Sequence, residues 1–193
     1  MEILGKILGS PARVKIMRLF LLNAKKNFTA KEVAKRSRVS PASARSELRM
    51  LASVAFIRKR GASFMLNTSF KYLSELEDLL INSESIDKDV VAGSFKRAGR
   101  VKLLVVSGVF LKNKDSRVDL LVVGNKMKRS RVEEEIRKLE AEIGRELVYA
   151  IFDTKEFNYR LNMYDKLIRD ILDFPHEVLL QSKELSTQLL QKA

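Results

Sequence analysis

The chain has no cysteine, a single histidine, three prolines and eight glycines in 193 residues. Without thiols there is no disulfide framework and no thiolate-held metal or cluster, and the reducing cytoplasm is the compartment to expect. The lone histidine, His176, has no second histidine with which to build a metal site or an acid–base dyad; its place after Pro175 predicts a surface position. No apolar run approaches the ~20 residues needed to span a bilayer, so no membrane partner is expected. The opening MEILGKILGS, with an acid at its second position, does not read as a secretory signal. Few breakers beside 46% hydrophobic and 32% charged residues exclude a disordered tail and predict a folded protein of one large domain or two small ones.

A further scarcity is local. Residues 1–75 hold sixteen Lys and Arg but only four Asp and Glu, a surplus of twelve, whereas the remainder holds 21 bases against 20 acids. Almost all of the net charge of +13 therefore belongs to the N-terminal part of the chain. A generally basic protein would spread its charge evenly. This asymmetry points to a polyanion partner, which gains from counterion release regardless of sequence.

The same region is rich in helix signals. Ser10 and Pro11 open a predicted helix Pro11 to Asn23, with Val14, Met17 and Leu21 in its apolar face and Arg13, Lys15 and Arg18 outside. Ahead of it Ile3, Leu4, Ile7 and Leu8 form an apolar cluster that must pack on this domain or on a second copy. Thr29 and Glu32 have capping-box spacing, with Phe28 and Val33 placed as a hydrophobic staple, and predict a helix Ala30 to Ser37 that shows Lys31, Lys35 and Arg36. Arg38-Val39-Ser40 makes a turn. Ser40-Pro41 then starts a helix PASARSELRMLASV, in which Ala44, Leu48, Leu51 and Ala55 form a buried stripe. The other face carries Pro41, Ala42, Ser43, Arg45, Ser46 and Arg49, with Glu47 as its only acid. Phe56 to Arg60 and Ser63 to Asn67 read as strands around a Gly61-Ala62 turn, with Arg58, Lys59 and Arg60 consecutive beside it. Each feature also has a plain reading, as a solvated helix face or as an edge strand guarded by charge.

Taken together, Pro11 to Asn67 resembles the winged helix-turn-helix transcription regulators, over about a third of the chain. The resemblance implies duplex DNA as partner, the second helix in the major groove and the basic hairpin on the adjacent backbone. The residues it singles out are Thr29, Lys31, Ser40, Pro41, Ser43, Arg45, Ser46, Arg49, Arg58, Lys59 and Arg60.

A helix Phe70 to Ile81, with Leu73, Leu76, Leu79 and Leu80 as its seam, reads as a linker that dimerises or covers the second domain, and the polar run 82–85 as the boundary. Beyond it, an expected helix Asp87 to Ala98 precedes strands Val101 to Val106 and Val118 to Val123. A helix Ser130 to Ile143, ended by Gly144, and a strand Leu147 to Phe152 come next. Helices after Thr154 and around Ile168, with Tyr149, Tyr159 and Tyr164 at core or helix-face spacing, a short strand Glu177 to Leu180 and a helix Leu185 to Gln191 complete an α/β layer pattern.

Ser107-Gly108 between two strands, a second strand entered through Asp119, and the run YAIFDTKEFNYRLNMYDKLIRDIL resemble the nucleotidyltransferase fold shared with polymerase beta. The resemblance implies a Gly-Ser turn for a nucleoside triphosphate and three carboxylates holding two Mg²⁺ ions. Here Asp119 falls on the second carboxylate and Asp153 loosely on the third, but Arg117 stands at the first and the turn is reversed. A guanidinium repels Mg²⁺, so a catalytically inactive domain without cofactor is expected. Residues 96–131 nevertheless carry eleven bases, Arg97 and Lys114 among them, against Asp115 and Asp119. This cluster is read as a site for a nucleotide or RNA, as a further DNA contact, or as a solvated rim.

The expected architecture is thus an α+β two-domain protein. A winged helix-turn-helix (1–69) and a linker helix (70–86) precede a small α/β nucleotidyltransferase-like domain (87–193). The expected function is that of a cytoplasmic, homodimeric, sequence-specific DNA-binding regulator whose second domain senses or assembles. The alternative is an active nucleotidyltransferase of toxin–antitoxin type, using Mg²⁺ and a nucleoside triphosphate to modify a protein or RNA.

Overall fold

The computed structural model describes residues 2–82, 88–96, 98–113 and 115–185. The chain is mixed α+β with two sheets, and it divides into two compact units, Met1–Ser85 with Arg137–Glu146, and Ile86–Ile136 with Leu147–Ala193.

The first unit begins with α1 (Glu2–Ile7) and α2 (Pro11–Leu21), followed by β1 (Phe28–Thr29), α3 (Ala30–Ser37) and α4 (Pro41–Ser53). The hairpin β2 (Ile57–Arg60) and β3 (Ser63–Leu66) pairs with β1 in the antiparallel order β1-β3-β2. Side chains from every one of these helices and strands meet in a single core. Ile16, Phe20, Val33, Ala44, Leu48, Phe56 and Ile57 are essentially sealed from solvent, and Phe20 meets Phe28 edge to face at 5.8 Å. The expected linker is broken into α5 (Leu73–Glu77) and a π-helical turn, Asp78–Asn82. Leu80 is buried in this unit's core and Leu73 and Leu76 pack on it, while Leu79 is exposed. Leu4 of α1 and Leu8 just after it pack inward, but Ile3 and Ile7 remain exposed.

Arg18 was expected outside and is instead buried. Its Nε donates to Leu80 O at 2.9 Å and its Nη1 to Glu142 O at 3.2 Å. Burial lowers its pKa, and the Glu142 carboxylate partly offsets that shift. Glu142 and Gly144 belong to Arg137–Glu146, the segment this unit takes from later in the chain. Gly144 stops its helix with φ +94°, and Asn23 Nδ2 bridges Leu19 O and Gly144 O. Cations and amide donors satisfying the last carbonyls of a helix are favourable partners of its dipole.

The second unit is a four-stranded mixed sheet in the order β6-β5-β4-β7. Its strands are β4 (Arg100–Val106), β5 (Leu120–Asn125), β6 (Tyr149–Phe152) and β7 (Glu177–Gln181). The helices are α6 (Lys88–Lys96), the part of α7 (Arg129–Ile143) up to Ile136, α8 (Thr154–Asn162) and α9 (Lys166–Leu172). β4 runs antiparallel to both β5 and β7; β5 and β6 are parallel, as a crossover through α7 requires. Leu103, Val105, Leu121 and Val123 pack with Phe157, Ile168 and Ile171 of α8 and α9. Leu104, Val106, Leu120 and Val122 point to the other face and are buried too, which explains why both strands read as unbroken apolar runs.

His176 is buried rather than exposed, with Nδ1 2.9 Å from Phe174 O. Tyr149, Tyr159 and Tyr164, expected in the core or on a helix face, are exposed, as is Val90 of α6. Of the expected final helix, 186–191 lies outside the described residues, as do 83–85 of the expected boundary and the cluster residues Arg97 and Lys114.

Two glycine substitutions separate close packing from backbone strain. A Cβ on Gly144 would lie 2.6 Å from the Arg18 backbone, whereas one on Gly61 (φ +59°) meets nothing within 4 Å. Gly144→Ala is expected to cost roughly 2–4 kcal/mol in urea unfolding, and Gly61→Ala about 1 kcal/mol.

Candidate functional site

The first candidate surface is built on α3, its turn and α4. Thr29 and Glu32 close a reciprocal cap: Thr29 N donates to Glu32 Oε2 at 2.7 Å, and Glu32 N donates to Thr29 Oγ1 at 3.3 Å. These bonds, led by the Thr29 backbone N–H, lower the pKa of Glu32. Arg38 ends α3 in the left-handed conformation, φ 51°, and Val39 N returns to Ala34 O at 3.1 Å, with the Val39 side chain tucked against the core. The chain thereby reverses within three residues. Ser40 then caps α4, accepting from Ser43 N at 3.1 Å.

α4 buries Ala44, Glu47, Leu48 and Leu51, a stripe at i, i+3, i+4 and i+7. Pro41, Ala42, Arg45, Ser46 and Arg49 are exposed on the other side and Ser43 is half-buried. Glu47 does not belong to that exposed face. It turns inward and takes Arg13 Nε at 2.9 Å, while Arg13 Nη1 donates to Leu8 O. The signal was present in the sequence, because Glu47 stands three residues after Ala44 and four before Leu51, on the same helix face. With the acid withdrawn, the outward face of α4 presents two guanidiniums and small polar groups.

The β2–β3 hairpin supplies the second part of the surface. Arg60 pairs with Ser63 across a two-residue turn, and Gly61 takes the positive φ that hairpin turns of this length demand at their first central position. Arg58, Lys59 and Arg60 are all exposed. The two-residue period of the strand nevertheless divides them, with Arg58 and Arg60 on one face and Lys59 on the other. Lys31 of α3 is exposed as well. None of Lys31, Arg45, Arg49, Arg58, Lys59 and Arg60 makes an ion pair among the described residues. Two other expected contacts are engaged locally, since the Thr29 and Ser40 hydroxyls serve as helix caps.

The second candidate site lies where β4 ends and β5 begins. Ser107 is buried; its Oγ donates to Pro175 O at 2.6 Å and lies 2.8 Å from Ser116 Oγ. Gly108 adopts φ +50° and starts a 3-10 turn, Gly108–Leu111. The carboxylate of Asp119 sits against this turn. Oδ1 accepts from Val109 N and Oδ2 from Val148 N, both at 2.9 Å, and only 4% of the residue is exposed. A Cβ on Gly108 would come within 2.2 Å of Asp119 Oδ1, so glycine here answers to the carboxylate.

The other expected members diverge from Asp119. Arg117 points outward and its Nη1 reaches Asp170 Oδ2 at 3.2 Å; Asp153 is exposed and caps α8 by accepting from Glu156 N at 2.8 Å. No group of three carboxylate or histidine ligands converges among the described residues. A fully hydrogen-bonded carboxylate, a helix cap and a guanidinium do not fit a two-Mg²⁺ site, which needs carboxylate oxygens free to bridge the ions.

Asp119→Asn keeps the shape but offers an amide NH₂ to one of two backbone donors. Loss of about 2–3 kcal/mol in denaturant unfolding is expected, and Gly108→Ala is expected to destabilise in the same direction. A variant as stable as the parent would show that the carboxylate is not a structural acceptor.

No family model, no curated protein and no solved structure matches the chain.

Proposed function

We propose that the chain is a sequence-specific, duplex-DNA-binding transcription regulator of winged helix-turn-helix architecture, acting as a homodimer. The observation that carries this reading is the acid-free outward face of α4, from which Arg45, Ser46 and Arg49 project while Glu47 is drawn into the core by Arg13. A helix placed in the major groove meets base edges and phosphates, for which guanidiniums and short polar groups are suited. Arg58 and Arg60, on one face of the hairpin, are suited to the neighbouring backbone. Dimerisation follows from the two-fold character of most sites read by such helices, and the exposed Ile3 and Ile7 of α1 suit a contact with a second copy.

In this reading the second unit is a nucleotidyltransferase-like domain without nucleotidyl transfer, used for sensing or assembly. Its antiparallel β4–β5 pair and parallel β5–β6 pair suit that fold, and the internal use of Asp119 speaks against metal-dependent chemistry.

Fluorescence anisotropy with duplex DNA tests the proposal. The chain is expected to bind with a steep loss of affinity as salt rises, and the combined variant Arg45→Ala, Arg49→Ala and Arg60→Ala is expected to bind at least tenfold more weakly. Salt-independent affinity, or full affinity in the triple variant, contradicts it.

A further inference from the structure

The second unit has a concentration of positive charge at the end of the sheet remote from Asp119. β4 starts at Arg100, which pairs with Asn125 at the end of β5, whereas Val106 pairs with Leu120 beside Asp119. Seven strand residues separate the two ends, about 20 Å at ~3.3 Å per residue. Lys96 at the close of α6, Arg100, and Lys126, Lys128, Arg129 and Arg131 around the start of α7 are all exposed at this end.

The arrangement is held by packing. Gly124 has no room for a side chain: a Cβ would lie 2.3 Å from Arg100 O and 2.9 Å from Met127 Sδ. At Gly99 a Cβ would lie 3.1 Å from Met127 Cα. Met127 is therefore seated over the start of β4, and Lys126 (φ 52°) and Lys128 on either side of it are held near Arg100. Thr154 N donates to Asn125 Oδ1 at 3.2 Å, tying the end of β5 to the start of α8. The acids nearby are engaged locally, Glu133 with Arg129 at 2.9 Å and Asp153 as the cap of α8. Lys96, Arg100, Lys126, Lys128 and Arg131 make no ion pair among the described residues. Such a concentration of like charge, in which Arg129 alone of the six exposed bases is ion-paired among the described residues, costs self-repulsion and is relieved by a polyanion.

The chemistry of the segments narrows the polyanion. Residues 96–102 (KRAGRVK) and 125–131 (NKMKRSR) contain no aromatic residue on which a nucleobase could stack. Single-stranded nucleic acid and free nucleotides are held largely by such stacking, whereas a duplex backbone needs only spaced cations. We propose that this end of the sheet is a second duplex-DNA contact, binding the phosphate backbone without reading sequence. The claim concerns the second unit alone, so it does not depend on α4 being the reading element.

The test is the salt dependence of duplex binding by the full chain, compared with the variant Arg100→Gln, Lys126→Gln and Lys128→Gln. Loss of three phosphate contacts is expected to reduce the slope of log K against log salt by about 2–3, equally for unrelated sequences. The charge-keeping variant Arg100→Lys, Lys126→Arg and Lys128→Arg is expected to retain the parent slope, which separates charge from folding. If the Gln variant unfolds, Lys128→Gln alone is expected to reduce the slope by about 1. An unchanged slope in a folded neutral variant overturns the proposal, as does competition by a structured RNA more effective than by duplex DNA. If the α4 and hairpin variant keeps full affinity while the neutral variant loses it, the reading of the first unit fails and this one stands.

Discussion

The inward turn of Glu47 toward Arg13 decides what α4 offers to solvent. A carboxylate on the rim of the buried stripe has two stable outcomes, hydration on the outer face or pairing at the core margin. Pairing is favoured here because Arg13 of α2 is itself positioned, its guanidinium also donating to Leu8 O. One ion pair therefore links the N-terminal helices to α4 and removes the single negative charge from the face that carries Arg45 and Arg49. The turn before α4 serves the same end. Its left-handed Arg38, its inserted Val39 and the Ser40 cap fix where α4 begins, and hence which residues its first turns present.

The second unit uses a carboxylate in a related way. Under the proposed nucleotidyltransferase-like reading Asp119 would stand as a metal ligand, yet its two oxygens are taken by backbone N–H groups of Val109 and Val148. The bonds fasten the turn after β4 and the entry to β6 to the start of β5. Gly108 has become part of that fastening, since any side chain would strike the carboxylate. Here the Asp119 oxygens and the Val109 and Val148 N–H groups satisfy one another.

Much of this was legible in the residues. Ser10-Pro11, Thr29 to Glu32 and Ser40-Pro41 mark helix starts through local chemistry, and the structure begins α2, α3 and α4 there. The apolar runs 103–106 and 120–123 predict buried strands for the same local reason. What was not legible depended on distant partners. Arg18 reads as a surface base on α2 because its partners, Leu80 O and Glu142 O, lie 62 and 124 residues away. His176 reads as exposed after a proline, and its burial comes from tertiary packing that no local pattern encodes. Tyr159 and Tyr164 follow helix spacing yet face solvent, since periodicity finds a face without saying what covers it.

The central claim, that α4 reads duplex DNA, is tested most directly by selecting bound duplexes from a random pool with the parent chain and with Arg49→Ala. The account predicts that the parent enriches a defined sequence arranged as an inverted repeat, and that the substitution relaxes or shifts the preference at specific positions within each half. A pool that remains random, or an identical selected sequence from both proteins, would contradict it.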